Sequence, residues 1–193
     1  MQDVKNPKLL VFAGPNGSGK STITKRVKPV GTYVNADDIK ATTGCSDLKA
    51  AQTAEIIRER LLNAGLDFTF ETVLSTERNL LLIKKAKEKG YNVCVIFVLT
   101  ADSSINVQRV QSRVAGGGHP VPTEKIISRY ERSLANVSEL VRTVDMLRII
   151  DNTSESPCEI CKIVDGMVTI QETEYWTKKR IFQLLFRKNT EHQ

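Results

Sequence analysis

Residues 14–21, GPNGSGKS, constrain this chain more than any other segment. They fit G-x-x-x-x-G-K-[ST] at every fixed position. An apolar run, KLLVFA at residues 8–13, leads into them, and a stretch with helical character opens at Lys20. Strand, glycine-rich turn and helix in that order are the context of a phosphate-binding loop. The competing reading, a plain glycine turn, requires neither neighbour. The glycines let successive backbone N–H groups point inward around an anion. A helix opening near Gly19 adds its positive end. Gly14, Pro15, Asn16, Gly17, Ser18, Gly19, Lys20, Ser21 and Thr22 are therefore expected to contact a nucleotide. Lys20 reaches the β and γ phosphates, and Ser21 offers its hydroxyl to Mg²⁺. ATP or GTP with Mg²⁺ is the expected ligand pair.

The remaining chain alternates short apolar runs with helical periodicity, the pattern of a parallel sheet covered by helices. Strands are expected at residues 8–13, 32–35, 68–73, 91–100 and 144–150. Helices are expected at 20–27, 47–64, 76–89, 102–114 and 123–141. Asp165-Gly166 lies between two β-rich runs and signals a hairpin within residues 162–170. A basic amphipathic helix follows at 176–186, and docking onto the domain is expected of it rather than a membrane-surface role. No repeat, low-complexity segment or linker interrupts the 193 residues. The fold expected is α/β: a P-loop NTPase of the kinase type with a five-stranded, mainly parallel sheet sandwiched by helices. It would form one domain, with residues 8–152 as the core and a C-terminal hairpin and helix after it.

Charge narrows the partners less than the loop does. A net charge of +6 suits phosphorylated small molecules as well as nucleic acid. No basic stripe interleaved with aromatic residues is present to stack bases. No apolar run approaches the roughly 20 residues that span a bilayer. The N-terminal stretch lacks the order of a signal peptide, so cytoplasmic residence is expected. Cys45 and Cys94 are isolated. Cys158 and Cys161 form a CxxC without a second ligand pair at zinc-site spacing, so reduced thiols are expected.

In parallel α/β sheets, ligands bind beyond the carboxyl ends of the strands. That rule selects Asp37 and Asp38, residues 71–75, Asp102, and Asp151 with Asn152. A carboxylate beside the loop can accept a proton from a hydroxyl that attacks the γ-phosphate. Asp37 is chosen for that role; either aspartate also suits a helix N-cap. Glu71 lies in an apolar strand, where a buried carboxylate is costly without a partner. It is expected at the cleft mouth, with Thr72, as a ligand of the acceptor; a salt bridge at the sheet end is the alternative. Arg109 and Arg113 stand four apart on one helix. The loop GGGH, ending at His119, follows them, and Arg129 and Arg132 lie on the next helix. Arginines on both sides of a glycine loop describe a lid that would neutralise charge on the γ-phosphate. Each of them can equally belong to a solvated basic face. His119 and Arg129 are placed toward the substrate.

Four stretches together, AGPNGSGKST, VNADDI, FTFETVLS and RVQSRVAGGGHPVPTEKIISRYERSLANV, resemble the zeta toxin family in its compact, single-domain form. The resemblance covers roughly residues 8–152. It implies a P-loop kinase fold and ATP-dependent phosphorylation of the 3′-hydroxyl of the amino sugar in UDP-N-acetylglucosamine. It also implies an Asp base, fitting Asp37, a sugar-nucleotide ligand, fitting Glu71, and two lid arginines gripping the γ-phosphate. Arg109 and Arg113 fit the last role, with Arg129 as competitor. A small antitoxin protein is a further implied partner. FETVLS departs from the longer toxins, which carry a glycine soon after the Glu. Two other readings begin with the same loop. An ABC-type or motor ATPase calls for an LSGGQ-like signature and an acidic Walker B strand end, yet the fourth strand ends in LTAD. A nucleic-acid 5′-kinase would use the basic charge.

Overall fold

In the computed structural model, which describes residues 6–118 and 120–187, β1 (Lys8–Ala13) runs through the middle of a seven-stranded sheet of order β2-β3-β1-β4-β5-β6-β7. β2 (Thr32–Val34), β3 (Phe68–Thr72), β4 (Asn92–Leu99) and β5 (Met146–Asp151) run parallel with it. β6 (Cys158–Val164) and β7 (Met167–Ile170) continue the same sheet antiparallel. The five parallel strands are those expected. The hairpin, however, extends the sheet instead of standing apart from it, so the sheet has seven strands. Asp165 and Gly166 both take positive φ, 49° and 79°, as a two-residue type I′ turn requires.

The apolar run of β1 supplies two cores, because successive side chains leave a strand on opposite faces. Leu9, Val11 and Ala13 join the larger core with Phe68, Phe70, Val93, Val95 and Phe97. Helical residues close that core, among them Ala54 and Leu62 of α3 (Asp47–Asn63) and Leu80 and Ile83 of α4 (Glu77–Glu88). Leu10 and Phe12 join the smaller core with Ile96, Val98, Ile150 and Ile23 of α1 (Lys20–Thr24). α1 is shorter than the expected 20–27; beyond it the chain continues in tight turns, Arg26 N to Ile23 O and Val27 N to Thr24 O.

Two helices differ from expectation. α2 (Ala36–Thr43) has no counterpart in the sequence reading. It buries no residue, so it lacks the apolar stripe that periodicity detects. Its signals are caps: the Asn35 side chain accepts from Asp37 N, and Gly44 closes the helix in the left-handed region. The expected helix 123–141 is two helices, α6 (Thr123–Ala135) and α7 (Val137–Thr143), which break at Asn136. Asn136 donates to Leu74 O at 2.8 Å and Ser133 donates to Val73 O at 2.7 Å. These bonds hold the turn after β3, where Leu74 adopts φ 55°.

α5 (Ser103–Ala115) follows β4 and is capped by Asp102, whose side chain accepts from Ser104 N. α8 (Lys178–Leu185) docks on the domain, as expected. Trp176, just before it, is 1% exposed. The Arg180 guanidinium lies 4.1 Å above the indole and donates to Ala101 O at 2.6 Å. Cys161 is buried in β6, and burial pushes its thiol up to about 11, the state of an unreactive structural cysteine. Among the described residues no group of three His, Cys, Asp or Glu could hold a metal ion, and no helix is long and apolar enough to cross a membrane. Trp176→Ala, which removes both a core indole and the platform for Arg180, is expected to lower stability by about 3–5 kcal/mol, read as a shift of the denaturant midpoint at unchanged slope.

Candidate active site

β1 lies between β3 and β4, and the chain leaves it toward β2 on one side and returns through β4 on the other. Such a reversal opens a crevice at the strand carboxyl ends, and the glycine loop fills it. Its start is pinned by Gly14 N donating to Thr72 O at 3.2 Å. Three glycines sit at positive φ against other chain segments. A Cβ on Gly14 would stand 2.0 Å from Val98 O, one on Gly17 2.5 Å from Asn106 O, and one on Gly19 2.0 Å from Asn152 Nδ2. No side chain fits at any of the three.

Two buried asparagines brace the loop. Asn106 Nδ2 donates to Asn16 O at 2.5 Å, and Asn152 Nδ2 donates to Ser18 O at 2.8 Å. Asn106 is itself tied to the Thr100 hydroxyl. Asn152 stood among the strand-end candidates without a role. Asn106 was missed, although its signal is present: it lies four residues before Val110 on the buried face of α5, where only a satisfied polar group belongs. Ser18 is fully buried, and among the described residues its hydroxyl has no hydrogen-bond partner.

Lys20 Nζ donates to the carbonyls of Gly14 at 2.7 Å and Pro15 at 3.1 Å, curled over the loop it belongs to. Burial holds its pKa down to about 8, with Arg113 adding to the fall and Glu71 and Asp37 opposing it. Lys20, Glu71, Asp37 and Arg113 are thus electrostatic neighbours, drawn from α1, β3, α2 and α5. Ser21 and Thr22 are exposed in the first turn of α1.

The structure separates residues that sequence could not. Asp37 and Asp38 both lie in the first turn of α2, but neither is its cap, since Asn35 fills that position. The charge of Asp37 reaches Lys20, and that of Asp38 reaches Tyr33. Among the described residues Glu71 makes no salt bridge; its carboxylate accepts a hydrogen bond from the Tyr33 hydroxyl, a partner the sequence did not suggest. Thr72 is not beside Glu71 in the cleft. Adjacent strand residues face opposite ways, and the Thr72 hydroxyl is buried, accepting from Asn79 Nδ2 and Leu74 N. Arg109 and Arg113 do not share one task either. Arg109 donates to Asn152 O at 2.8 Å and Thr153 O at 3.1 Å, which fastens α5 to the loop after β5. Arg129 reaches across from α6 to Asn16 Oδ1 at 3.3 Å. Arg132 turns back to Ser128 O of its own helix. His119 lies outside the described residues.

A strand order that reverses around a glycine loop, with cations converging on that loop from α1, α5 and α6, defines a P-loop protein of the kinase type. A model of the zeta toxin family matches residues 33–158, more than half of the chain, and the chain belongs to that family. The match begins after the phosphate loop, so loop and family are independent observations. An uncharacterized protein of Haemophilus influenzae is 27% identical over 133 residues, which cover 66% of this chain and 95% of that protein. Among solved structures, the AvrRxo1-ORF1:-ORF2 complex with ATP aligns over 88% of this chain and 62% of the other, at TM-score 0.68 and 18% identity. The PezAT chromosomal toxin-antitoxin system of Streptococcus pneumoniae aligns over 98% and 82%, at TM-score 0.59 and 14% identity. This chain therefore spans less than two thirds of the AvrRxo1 chain. At these identities the likeness is one of fold.

Two outcomes test the loop. A phosphate bound beside Lys20 requires the charged amine, so above about pH 8 binding must take up a proton. The apparent Kd for ATP, measured by calorimetry, is expected to be flat below pH 8 and to rise above it, whereas Lys20→Met binds weakly at every pH without that rise. Asn106→Ala, which frees Asn16 O, is expected to weaken ATP binding about tenfold, the worth of one buried hydrogen bond.

Proposed function

We propose that the protein is an ATP-dependent kinase that transfers the γ-phosphate to a sugar hydroxyl, with the 3′-hydroxyl of UDP-N-acetylglucosamine or a related nucleotide sugar as acceptor. The observation that carries the reading is the meeting of Asp37 and Glu71 with Lys20 at the mouth of the glycine loop. A loop that only bound a nucleotide needs the lysine; two further carboxylates beside it suit a second, hydroxyl-bearing substrate.

In this reading the loop N–H groups and Lys20 hold the β and γ phosphates. Asp37 takes the proton of the acceptor hydroxyl as its oxygen bonds to the γ-phosphorus and the bond to the ADP oxygen breaks. Glu71 orients the acceptor. Arg113 and Arg129 approach the loop from two helices and offset the charge spreading over the transferring group. Arg109 supports them through its hold on the loop after β5. Mg²⁺ suits this site as a guest of the nucleotide: it keeps most of its waters and needs one or two protein oxygens, and the exposed Ser21 hydroxyl would supply one. The ion would neutralise phosphate charge. A cytoplasmic location, where ATP and nucleotide sugars meet, belongs to the same reading. So does a small antitoxin partner, which rests on the family and on the complexes in which the structural relatives were solved.

Asp102, where a Walker B carboxylate of a motor ATPase would stand, is spent as the cap of α5. Incubation with labelled ATP and a panel of nucleotide sugars, followed by mass spectrometry, is expected to show one phosphorylated sugar. Asp37→Ala should lower that transfer at least about a hundredfold while ATP affinity stays within about threefold. Undiminished transfer by Asp37→Ala would remove the base assignment. Steady ATP hydrolysis with no phosphorylated acceptor would favour a plain ATPase.

A further inference from the structure

Tyr33 stands where two strands and a helix meet, and the reading above gives it no task. It pairs with Thr69 across β2 and β3, and Glu71 lies two residues further along the same face of β3. The Tyr33 hydroxyl donates to Glu71 Oε1. Among the described residues Tyr33 is the one hydrogen-bond donor to the Glu71 carboxylate. The Asn35 side chain lies against the same hydroxyl, and Asn35 Oδ1 accepts from Asp37 N at 2.9 Å. One phenol thereby links the carboxylate on β3 to the cap that starts α2 and fixes Asp37.

We propose that Tyr33 is a positioning residue of the acceptor half of the site: its hydroxyl holds Glu71 Oε1, sets the spacing between Glu71 and the Asp37-bearing helix start, and leaves Glu71 Oε2 to receive a hydrogen bond from the acceptor hydroxyl. The inference rests on the kinase reading given above. It has a chemical basis apart from it. A glutamate has three rotatable bonds and, without a donor, is free to turn toward a neighbouring cation such as Lys20 of the phosphate loop, with which Glu71 interacts electrostatically. A carboxylate that closes on Lys20 would compete with the phosphates for the same amine. The phenol opposes that collapse. Tyr33 remains the proton donor throughout: burial, the bond to Glu71 and the charges of Glu71 and Asp38 all raise its pKa. Of the charged groups nearby, Asp38 of α2 acts on Tyr33 and Lys20 of α1 interacts with Glu71, while Asp37 of α2 and Arg113 of α5 act on Lys20.

The role predicts an effect on the acceptor step and none on the nucleotide. Tyr33→Phe keeps the ring and deletes only the hydroxyl. With labelled ATP and UDP-N-acetylglucosamine, or with water as acceptor if the sugar is refused, Tyr33→Phe is expected to lower kcat about tenfold, the cost of one hydrogen bond to a charged group. KM for ATP and the thermal midpoint should stay near those of the parent protein. In a crystal structure of the variant, Glu71 is expected to have moved toward Lys20. A double-mutant cycle with Glu71→Gln separates position from general structure: in the Glu71→Gln background, Tyr33→Phe should have no further effect on kcat. Equal and additive losses, a parent-like kcat, or a loss confined to ATP binding would each overturn the role of Tyr33. If Glu71→Gln alone leaves phosphoryl transfer intact, the acceptor role of Glu71 falls and the inference with it. A damaged Glu71→Gln beside an undamaged Tyr33→Phe overturns the inference and leaves the kinase reading standing.

Discussion

The site depends on the absence of three side chains. At Gly14, Gly17 and Gly19 the loop backbone lies so close to β4, α5 and the end of β5 that a single carbon atom would collide with a carbonyl or an amide. This closeness turns a flexible glycine sequence into a rigid receptor. The loop cannot spread, because each glycine is pressed against an element already fixed in the sheet, and it cannot close, because Asn106 and Asn152 hold its carbonyls outward. With the Asn16 and Ser18 carbonyls held by side chains, those oxygens do not compete with an anion for the inside of the loop. Preorganisation here is a packing property first and an electrostatic one second.

Lys20 shows the energetic consequence. Its amine lies buried on the loop's own carbonyls, and burial holds its proton less tightly than in water. Negative charge arrives from Glu71 on β3 and Asp37 on α2, which soften the loss; among the described residues neither forms an ion pair with it. Opposite charges near the amine, yet not bonded to it, leave it available to a ligand. The arginines are distributed by the same logic. Arg109 is consumed by backbone carbonyls and acts as a fastener, whereas Arg113 and Arg129 lie toward the loop.

What sequence reveals about such a site follows from what kind of force makes each part. The loop, the five parallel strands and the hairpin turn were legible because local rules dictate them: a glycine spacing, continuous apolar runs, and Asp165-Gly166 with its two positive φ angles. α2 was not legible, since a helix without a buried face leaves only its caps as a trace, Asn35 and Gly44. The break at Asn136 was hidden because the apolar spacing carries straight through it; its cause is a hydrogen bond to Leu74, sixty-two residues away. The arginines behaved likewise. Their spacing on α5 predicted a shared face, but the carbonyls that capture Arg109 lie 43 and 44 residues further along, in the loop after β5. Asp37 and Asp38 were separable only once the cap before them was seen. Periodicity reports burial, whereas Asp37, Tyr33 and Glu71 are exposed or half-exposed groups on elements that meet only in three dimensions.

The braces of the loop also have a bearing on how the chain folds. Asn16 and Ser18 are held by side chains 90 and 134 positions further along, and Arg129 reaches Asn16 across 113. A motif that looks local in sequence is therefore among the least local structures in the protein, and contacts of such separation close late, after their loop entropy has been met by the growing sheet. The receptor exists only when β4, α5 and β5 are all in place. Nucleotide binding is consequently linked to the integrity of the whole sheet, and a ligand held by the loop after β1 stabilises β5, the last of the parallel strands.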